Sequence, residues 1–348
     1  MKMVRTFHPV GQGAFYTERF YEGNKNVFNM VYDCGTISKR QSLHTEIATA
    51  FQTDDEIDLL FVSHFHEDHI NGIDRLAKSH RIKKLVIPSL SNVGKDQIFV
   101  NYLHNIAVSS DLNNFANQFM EFCYSEDRNS RMLNIDEITR IDNGKQLPFE
   151  DLMWEYIPLC VATGHQDFIL KVINPLGLQE KYRLFTGNNF VIIRDFFDSN
   201  QKINKLKELF KSFIKLYNNN DNYYSMTVLS KPIMDVDSKN KSQKAICLYT
   251  GDYPARDNTC RDQLKKYPYY QQYWNDIDIF QSPHHGSKYD NPLDLHDGTD
   301  WDCVICYGKS NRFSHPHKDT LMNIALFKSM IHLVNEDQGS KYQTDFNF

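Results

Sequence analysis

A cluster of three histidines and one aspartate behind a short apolar run constrains this chain more than any other feature. The run covers residues 59–62, and the cluster reads His64-Phe65-His66-Glu67-Asp68-His69. Side chains alternate along a β-strand, so beyond its end the first two histidines can turn toward one point while the aspartate and the last histidine converge on a neighbouring one. Imidazole and carboxylate ligands suit zinc, manganese or iron, and the lack of a nearby group of cysteines argues against a closed structural zinc site. The sequence therefore predicts a site for two divalent metal ions, zinc or manganese.

Five further motifs lie before and after this cluster. They are Val10-Gly11-Gln12-Gly13, Asp33-Cys34-Gly35, Thr250-Gly251-Asp252, His284-His285-Gly286-Ser287 and a stretch from Asn311 to His315-Pro316. In this order, and together with the cluster, they resemble the C-terminal hydrolase domain of the ComEC-type competence proteins, a branch of the metallo-β-lactamase superfamily. The matches extend from residue 10 to residue 316 of 348. The resemblance implies an α/β fold, an αββα sandwich with its metal site at one edge of two packed sheets.

The motifs after the cluster supply further candidate ligands. Asp252 follows the apolar strand predicted at residues 245–249, and Gly251 lets the backbone turn sharply and present the carboxylate between two ions. The resemblance implies that His315 is the last ligand of the second ion. The full set of predicted metal ligands is His64, His66, Asp68, His69, Asp252, His284 and His315.

Two residues are predicted to take part in the chemistry itself. Asp68 is expected to orient a hydroxide that bridges the ions. His284 and His285 are adjacent, and adjacent side chains diverge at a strand end, so only one of them is expected to reach the metals. We assign His284 as the ligand and His285 as the proton donor.

Many superfamily members bring one more histidine to the first ion, from a loop before the Gly-Asp strand. Here that place holds Asn222-Tyr223-Tyr224-Ser225, a pattern that resembles the ComEC-type branch. Either the first ion lacks one protein ligand or His284 supplies it, with His165 as a weaker candidate. Asn222, Ser225 and Ser287, with the backbone amides of Gly286 and Ser287, are expected to hold the substrate oxygens.

The chain is interpreted as a single domain over residues 1–348 with helical insertions at 96–130 and 178–221. Residues 202–217 place apolar side chains at helical spacing with lysines between them. This second insertion is either a cap over the metal site or a helix that covers a sheet edge. Residues 156–174 are predicted to form a pair of β-strands that returns through Gly164.

Composition narrows the class of partner and the compartment. Lys and Arg number 39 against 44 Asp and Glu, a net charge of −5, which does not indicate a general nucleic-acid binder. No apolar run approaches the ~18 residues of a membrane helix, and the first residues lack a signal-peptide core. Seven scattered cysteines suit a reducing compartment. We therefore expect a cytoplasmic protein with no membrane partner.

These features predict a metal-dependent hydrolase with a dinuclear site, most simply a phosphodiesterase or nuclease acting on a nucleotide or nucleic acid. One alternative is an ester, amide or lactone hydrolase of the same fold. Another is a hydrolase subunit of a bacterial multi-protein system, with a partner protein bound through the insertion. A deep apolar pocket would favour the ester class, whereas a groove with Lys and Arg would favour phosphodiesters.

Overall fold

The computed structural model describes residues 1–125, 133–163, 166–216, 224–233, 244–296 and 300–348. Within these ranges the strands, numbered along the chain, are β1 (Lys2–Phe7), β2 (Gly13–Glu22), β3 (Lys25–Thr36), β4 (Leu59–Phe61), β5 (Ile82–Pro88), β6 (Ile135–Ile141), β7 (Leu147–Phe149), β8 (Trp154–Ala162), β9 (Tyr224–Pro232), β10 (Cys247–Tyr249), β11 (Ile279–Gln281), β12 (Asp302–Cys306), β13 (Met330–Val334) and β14 (Tyr342–Asn347). They form two seven-stranded sheets of order β14-β1-β2-β3-β4-β5-β6 and β13-β12-β11-β10-β9-β8-β7.

The two sheets pack face to face through aromatic rings. Tyr249 of the second sheet stacks on Tyr16 and Tyr32 of the first, with ring centroids 6.0 and 5.0 Å apart. A buried ion pair lies in the same interface, with Arg5 and Glu18 in contact at 2.8 Å. The Glu18 carboxylate also accepts the Tyr249 hydroxyl at 2.9 Å. Because a buried charge is costly unless it is paired and hydrogen-bonded, this network favours one relative placement of the sheets.

The helices are α1 (Arg40–Ala50), α2 (Glu67–Ile70), α3 (Ile73–Ser79), α4 (Leu90–Val93), α5 (Lys95–Ser109), α6 (Phe115–Tyr124), α7 (Gln166–Phe168), α8 (Asn174–Leu176), α9 (Gln179–Leu184), α10 (Val191–Arg194), α11 (Asn200–Leu216), α12 (Asn258–Lys266), α13 (Pro268–Gln271) and α14 (Lys318–Leu326). α1 and α3 contact β3 of the first sheet, while α12 contacts β8 and α14 contacts β13 of the second. The predicted αββα sandwich is therefore confirmed. Among the helices that the structure describes, none combines the length and apolar character needed to cross a bilayer.

The strands that lead to the predicted metal ligands are short and fully buried. β4, β10 and β11 have three residues each, and all of these residues are buried. β4 runs parallel to β3 and β5, and β11 runs parallel to β10 and β12. Strands covered on both faces read as continuous apolar runs, which is why these segments stand out in the sequence.

The predicted insertions contain helices where their spacing indicated them. α5 and α6 occupy most of 96–130, and α9, α10 and α11 lie within 178–221. α11 buries Ile203, Leu206 and Phe210. It packs mainly against α5. Residues 126–132 and 217–221 of these segments lie outside the described residues.

The predicted β-pair at 156–174 is wrong in its second half. β8 pairs along its length with β9, and residues 166–176 are helical. Phe168, Val172 and Leu176 are buried at a spacing of four, which places them on one side of a helix. A short apolar run does not by itself distinguish a buried strand from a buried helix. Gly164 and His165 lie outside the described residues.

Candidate metal centre

The loops that carry the predicted ligands meet at one edge of the sandwich. The cluster at residues 64–69 follows β4, Asp252 follows β10, the two adjacent histidines follow β11, and His315 follows β12. Neighbouring parallel strands present their carboxyl ends at the same edge of a sheet, which is where sites form in such folds. Four segments distant in sequence are thereby brought together.

Among the residues that the structure describes, two groups of side chains have ligand atoms close enough to hold a metal ion. One consists of His64, His66 and Asp252, and the other of Asp68, His69, Asp252 and His285, with all ligand atoms of a group within 4.8 Å of one another. Asp252 belongs to both groups. Its Oδ2 lies 3.8 Å from His64 Nε2, and its Oδ1 lies 3.1 Å from His69 Nε2. The carboxylate therefore lies between two neighbouring positions, as a bridging ligand would.

Oxygen acceptors fix the orientation of three imidazole rings around Asp252. His69 Nδ1 donates to Asp33 Oδ2 at 2.7 Å, His284 Nδ1 to Asp290 Oδ2 at 2.7 Å, and His285 Nδ1 to the Cys306 carbonyl at 2.9 Å. A carbonyl can only accept, so the hydrogen of His285 lies on Nδ1 in its neutral form. In each ring Nε2 then faces the centre, which is the arrangement typical of metal-binding histidines.

The charges of the site are strongly coupled. Burial lowers the pKa of His64 well below its ordinary value, and the neighbouring imidazoles add to this shift. Although burial opposes it, His69 holds the pKa of Asp252 well below the usual range, and His69 with His285 lowers that of Asp68. In turn Asp252, Asp33 and Asp68 raise the pKa of His69 well above its ordinary value, although burial opposes this shift. The two ionised carboxylates and the neutral imidazole of His64 are donors that suit a divalent cation.

Buried nitrogen atoms provide a further test of whether metal ions fit. Within the described part of the chain, Nε2 of His64 is buried and makes no hydrogen bond, and the buried Nε2 of His69 faces Asp252 Oδ1 at 3.1 Å. Buried polar groups nearly always have a partner, and each exception needs an explanation. Both atoms face the Asp252 carboxylate, so divalent ions beside that carboxylate would satisfy them. The residues present fit the predicted metal ions.

His284 and His285 differ in how close they come to the carboxylates. His285 Nε2 lies 3.2 Å from Asp68 Oδ2 and 3.8 Å from Asp252 Oδ1. His284 Nε2 lies 3.8 Å from Asp252 Oδ2, and of the two histidines only His285 belongs to one of the close groups that the described residues form. The predicted assignment makes His284 the ligand and His285 the proton donor. The geometry favours the opposite, with His285 as the ligand. His315 lies beside them, its ring 5.4 Å from that of His284, and its role as a ligand stays a prediction.

The turn that presents Asp252 explains both Gly251 and Ser225. Gly251 has a φ of +54°, and a Cβ there would lie 2.5 Å from Ser225 Oγ. Ser225 is fully buried, and its hydroxyl accepts the Asp252 backbone N–H at 3.2 Å. The predicted contact of Ser225 with substrate does not fit this placement. Its hydroxyl supports the turn.

The other predicted substrate contacts differ in outcome. The Gly286 amide donates to Pro283 at 3.1 Å and the Ser287 amide to His284 at 2.9 Å, so the expectation that they hold substrate oxygens is wrong. The Ser287 side chain does line the pocket over the site. Asn222 lies outside the described residues.

A pocket of about 620 Å³ opens above the metal-binding side chains. Asp68, Asp252 and His285 are among the residues that line it. Helix α5 contributes to its lining, and so do the loops after β11 and β12. The residues that these loops add are Ser287, Lys288, Tyr289, Arg312, Phe313, Ser314, His315 and His317.

Three residues of the site were not assigned a role from the sequence. Asp33 lies in the Asp-Cys-Gly motif, and the motif was the available signal. Asp290 follows the His-His motif closely and was overlooked. His104 lies on α5, with Nδ1 2.7 Å from His66 Nε2, and no local pattern marks it.

Comparisons with known proteins give the following matches. A family model described as "Anti-Pycsar protein Apyc1" matches residues 6–127, less than half of the chain. The metallo-beta-lactamase fold protein YhfI from Bacillus subtilis is 10% identical with a TM-score of 0.44, covering 99% of both chains. Unliganded yeast PDE1 is 9% identical with a TM-score of 0.47, covering 100% of both chains. A search of curated proteins found no match.

The architecture, two packed seven-stranded sheets with the motif loops gathered at one sheet edge, is the αββα sandwich that the resemblance to the metallo-β-lactamase superfamily implied. The family model adds a second resemblance for the first third of the chain. None of the matches given above names a ComEC-type protein, so that finer resemblance stays a prediction.

Proposed function

We propose that this protein is a metal-dependent phosphodiesterase that acts on nucleotide-sized substrates. The observation that carries the proposal is the pair of ligand groups sharing Asp252 at the floor of a pocket whose mouth holds Lys288 and Arg312. Two divalent ions bound there would activate a water molecule and stabilise the charge that develops on the attacking and leaving oxygens.

The pocket lining favours a phosphate diester over a lactone or thioester. Lys288 and Arg312 bring two cations to the mouth of the pocket, and cations near the reacting group suit a phosphoryl substrate. Phe313 and Tyr289 bring aromatic faces on which a nucleobase could stack. The pocket therefore combines cations with aromatic faces, a combination that suits a nucleotide diester better than a lactone or thioester.

The size of the pocket favours a nucleotide over a polymer. A volume of about 620 Å³ is within the range of pockets that bind small molecules. His104 and Val108 on α5 line it together with Arg312 and Phe313 from the loop after β12. A net charge of −5 also gives no general attraction to a nucleic-acid backbone.

Within this proposal the roles of the two adjacent histidines are exchanged. His285 serves as a metal ligand beside Asp68 and His69. His284 lines the pocket, and Asp290 orients its ring through Nδ1. We propose that His284 carries hydrogens on both ring nitrogens, donates the Nδ1 hydrogen to Asp290 and delivers the Nε2 proton to the leaving oxygen, which leaves a neutral imidazole. Asp68, which also lines the pocket, orients the attacking water.

The test begins with elemental analysis of the purified protein and then compares substrates with zinc or manganese added. The panel contains bis-p-nitrophenyl phosphate, 3′,5′-cyclic nucleotides, dinucleotides, single- and double-stranded DNA, and a lactone and thioester set. The proposal expects two ions per chain and metal-dependent cleavage of the small diesters, lost in Asp68→Ala. Faster cleavage of DNA would make the protein a nuclease, and cleavage of lactones or thioesters alone would overturn the phosphodiesterase proposal.

A further inference from the structure

A histidine from the first helical insertion reaches the metal centre. His104 on α5 has its Nδ1 2.7 Å from Nε2 of His66, and the two rings meet edge to face at 87°. Both side chains are buried, each residue with 7% of its surface exposed. One imidazole must donate and the other must accept in this bond, so the contact couples the hydrogen positions of the two rings.

We propose that His104 is a positioning residue of the metal centre. His66 donates its Nε2 hydrogen to His104, which leaves Nδ1 as the atom that His66 contributes to the group with His64 and Asp252. A metal-binding histidine almost always donates its other ring nitrogen to an acceptor, and here that acceptor is a second imidazole. The inference depends on the metal centre of the proposed function but not on its substrate.

The second insertion holds His104 in place. Phe210 of α11 stacks on the His104 ring with centroids 5.0 Å apart and planes at 15°. Lys207, one turn earlier on α11, donates to Ser110 Oγ at 2.6 Å just beyond the end of α5. Among the described residues of 178–221, none lines the pocket. The described part of the long amphipathic helix therefore contributes to the site by holding α5 in place.

His104 stands apart from the ligands themselves. It belongs to neither of the two close ligand groups that the described residues form, whereas His66 belongs to one of them. His104 contacts the ligand His66 through a ring nitrogen but does not join the ligand group, so it acts on the metal through His66. Loss of the contact should weaken one ion more than the other.

The test uses purified full-length protein, stripped with a chelator and titrated with Co²⁺ and with Zn²⁺ against a chromophoric chelator. His104→Phe keeps a ring on Phe210 but removes the acceptor, whereas His104→Gln keeps an acceptor oxygen. Tyr102→Phe is the matched control, because it removes a buried hydrogen bond to Glu121 from the same helix, away from His66. Circular dichroism and thermal melts confirm that each variant is folded.

The expected result is a loss of about 10- to 100-fold in affinity for one ion in His104→Phe, with the other ion unchanged and the Co²⁺ visible bands shifted. His104→Gln should recover most of this loss, and Tyr102→Phe should match the wild type. Unchanged binding in His104→Phe, or a loss in His104→Gln as large as in His104→Phe, would overturn the inference. A wild-type protein that binds no divalent ion would instead refute the metal centre of the proposed function.

Discussion

At the scale of single residues, the candidate centre is organised by the atoms behind its ligands. Asp33 accepts the Ser63 backbone N–H, the Ser63 hydroxyl and His69 Nδ1, each at 2.7 Å. Asp290 and the Cys306 carbonyl hold His284 and His285 in the same way. Each of these acceptors selects the tautomer that turns Nε2 toward Asp252. The orientation of the histidine rings is therefore set by residues that contact the histidines from behind.

Asp33→Asn should lower zinc affinity about 10- to 100-fold. The Asp33 carboxylate accepts three hydrogen bonds, two from Ser63 and one from His69. An asparagine amide has only one acceptor oxygen, so it cannot accept all three. Competition with a chromophoric chelator measures the affinity, and a thermal melt of the apo-protein separates metal loss from misfolding. Wild-type affinity in a folded Asp33→Asn protein would contradict the view that Asp33 orients His69.

Asp290→Asn should affect turnover and leave metal binding intact. Asp290 orients His284, to which we assign proton delivery, so kcat should fall about 10- to 100-fold while two ions stay bound. Asp294→Asn is the matched control, because this exposed carboxylate lies nearby in sequence and pairs with Arg261 instead. A parallel loss of zinc in Asp290→Asn would mean that His284 is a ligand, as the sequence alone had suggested.

At the scale of elements, the ends of the chain are tied together by a buried carboxylate. Glu46 on α1 contacts His8 Nδ1, just after β1, and Lys341 Nζ, just before β14, both at 2.8 Å. Burial opposes ionisation, but these two partners lower the pKa of Glu46 to about 2 from its ordinary 4.5. A carboxyl group with a depressed folded-state pKa stabilises the fold above its unfolded pKa, and this stabilisation is lost as the pH falls through the folded pKa.

Glu46→Gln should therefore cost about 1 to 3 kcal/mol of unfolding free energy at pH 7, because a buried hydrogen-bonded charge is removed. The wild type should lose stability between about pH 4.5 and pH 2, and the variant should lose less over that interval. Urea unfolding of chelator-treated protein at several pH values measures both effects and avoids interference from metal release. Equal pH dependence in the two proteins would show that Glu46 is not the group that titrates.

The sequence predicts an element well when the signal is local. The short strands β4, β10 and β12 read as apolar runs followed by polar motifs, so both the strand and the ligand position could be predicted. The helix at 166–176 could not, because its apolar residues fit a strand as well as a helix. His104 was also beyond prediction, since it lies 38 residues from His66 and meets it only when α5 packs over the sheet edge.

At the scale of the whole molecule, the pocket belongs to no single segment. Its lining comes from the metal-binding loops of both sheets, from α5, and from residues further along the loops after β11 and β12. The sheets set where the metals lie, and the loops and the insertion set what can approach them. Chemistry and substrate choice are thus carried by different parts of the chain, and a variant at the mouth can change one without the other.

Phe313 offers the sharpest test of that separation. Its side chain lines the mouth of the pocket, is 38% exposed, and stacks on His315 with Arg312 over its face at 5.1 Å. Stacking of a nucleobase on an aromatic ring contributes about 1 to 3 kcal/mol. Phe313→Ala should therefore lower kcat/KM about 10-fold for a thymidine p-nitrophenyl phosphodiester but change it little for methyl p-nitrophenyl phosphate, which has the same leaving group and no base.

Phe313→Tyr keeps an aromatic face at this position and should behave as the wild type on both substrates. The ratio of the two kcat/KM values cancels any change in the amount of active enzyme, so it reports recognition of the base alone. An equal loss on both substrates in Phe313→Ala would place Phe313 among the groups that support the centre, through its stacking on His315. A loss of kcat/KM on the base-bearing diester alone would mean that Phe313 recognises the nucleoside while the metal-binding residues perform the hydrolysis.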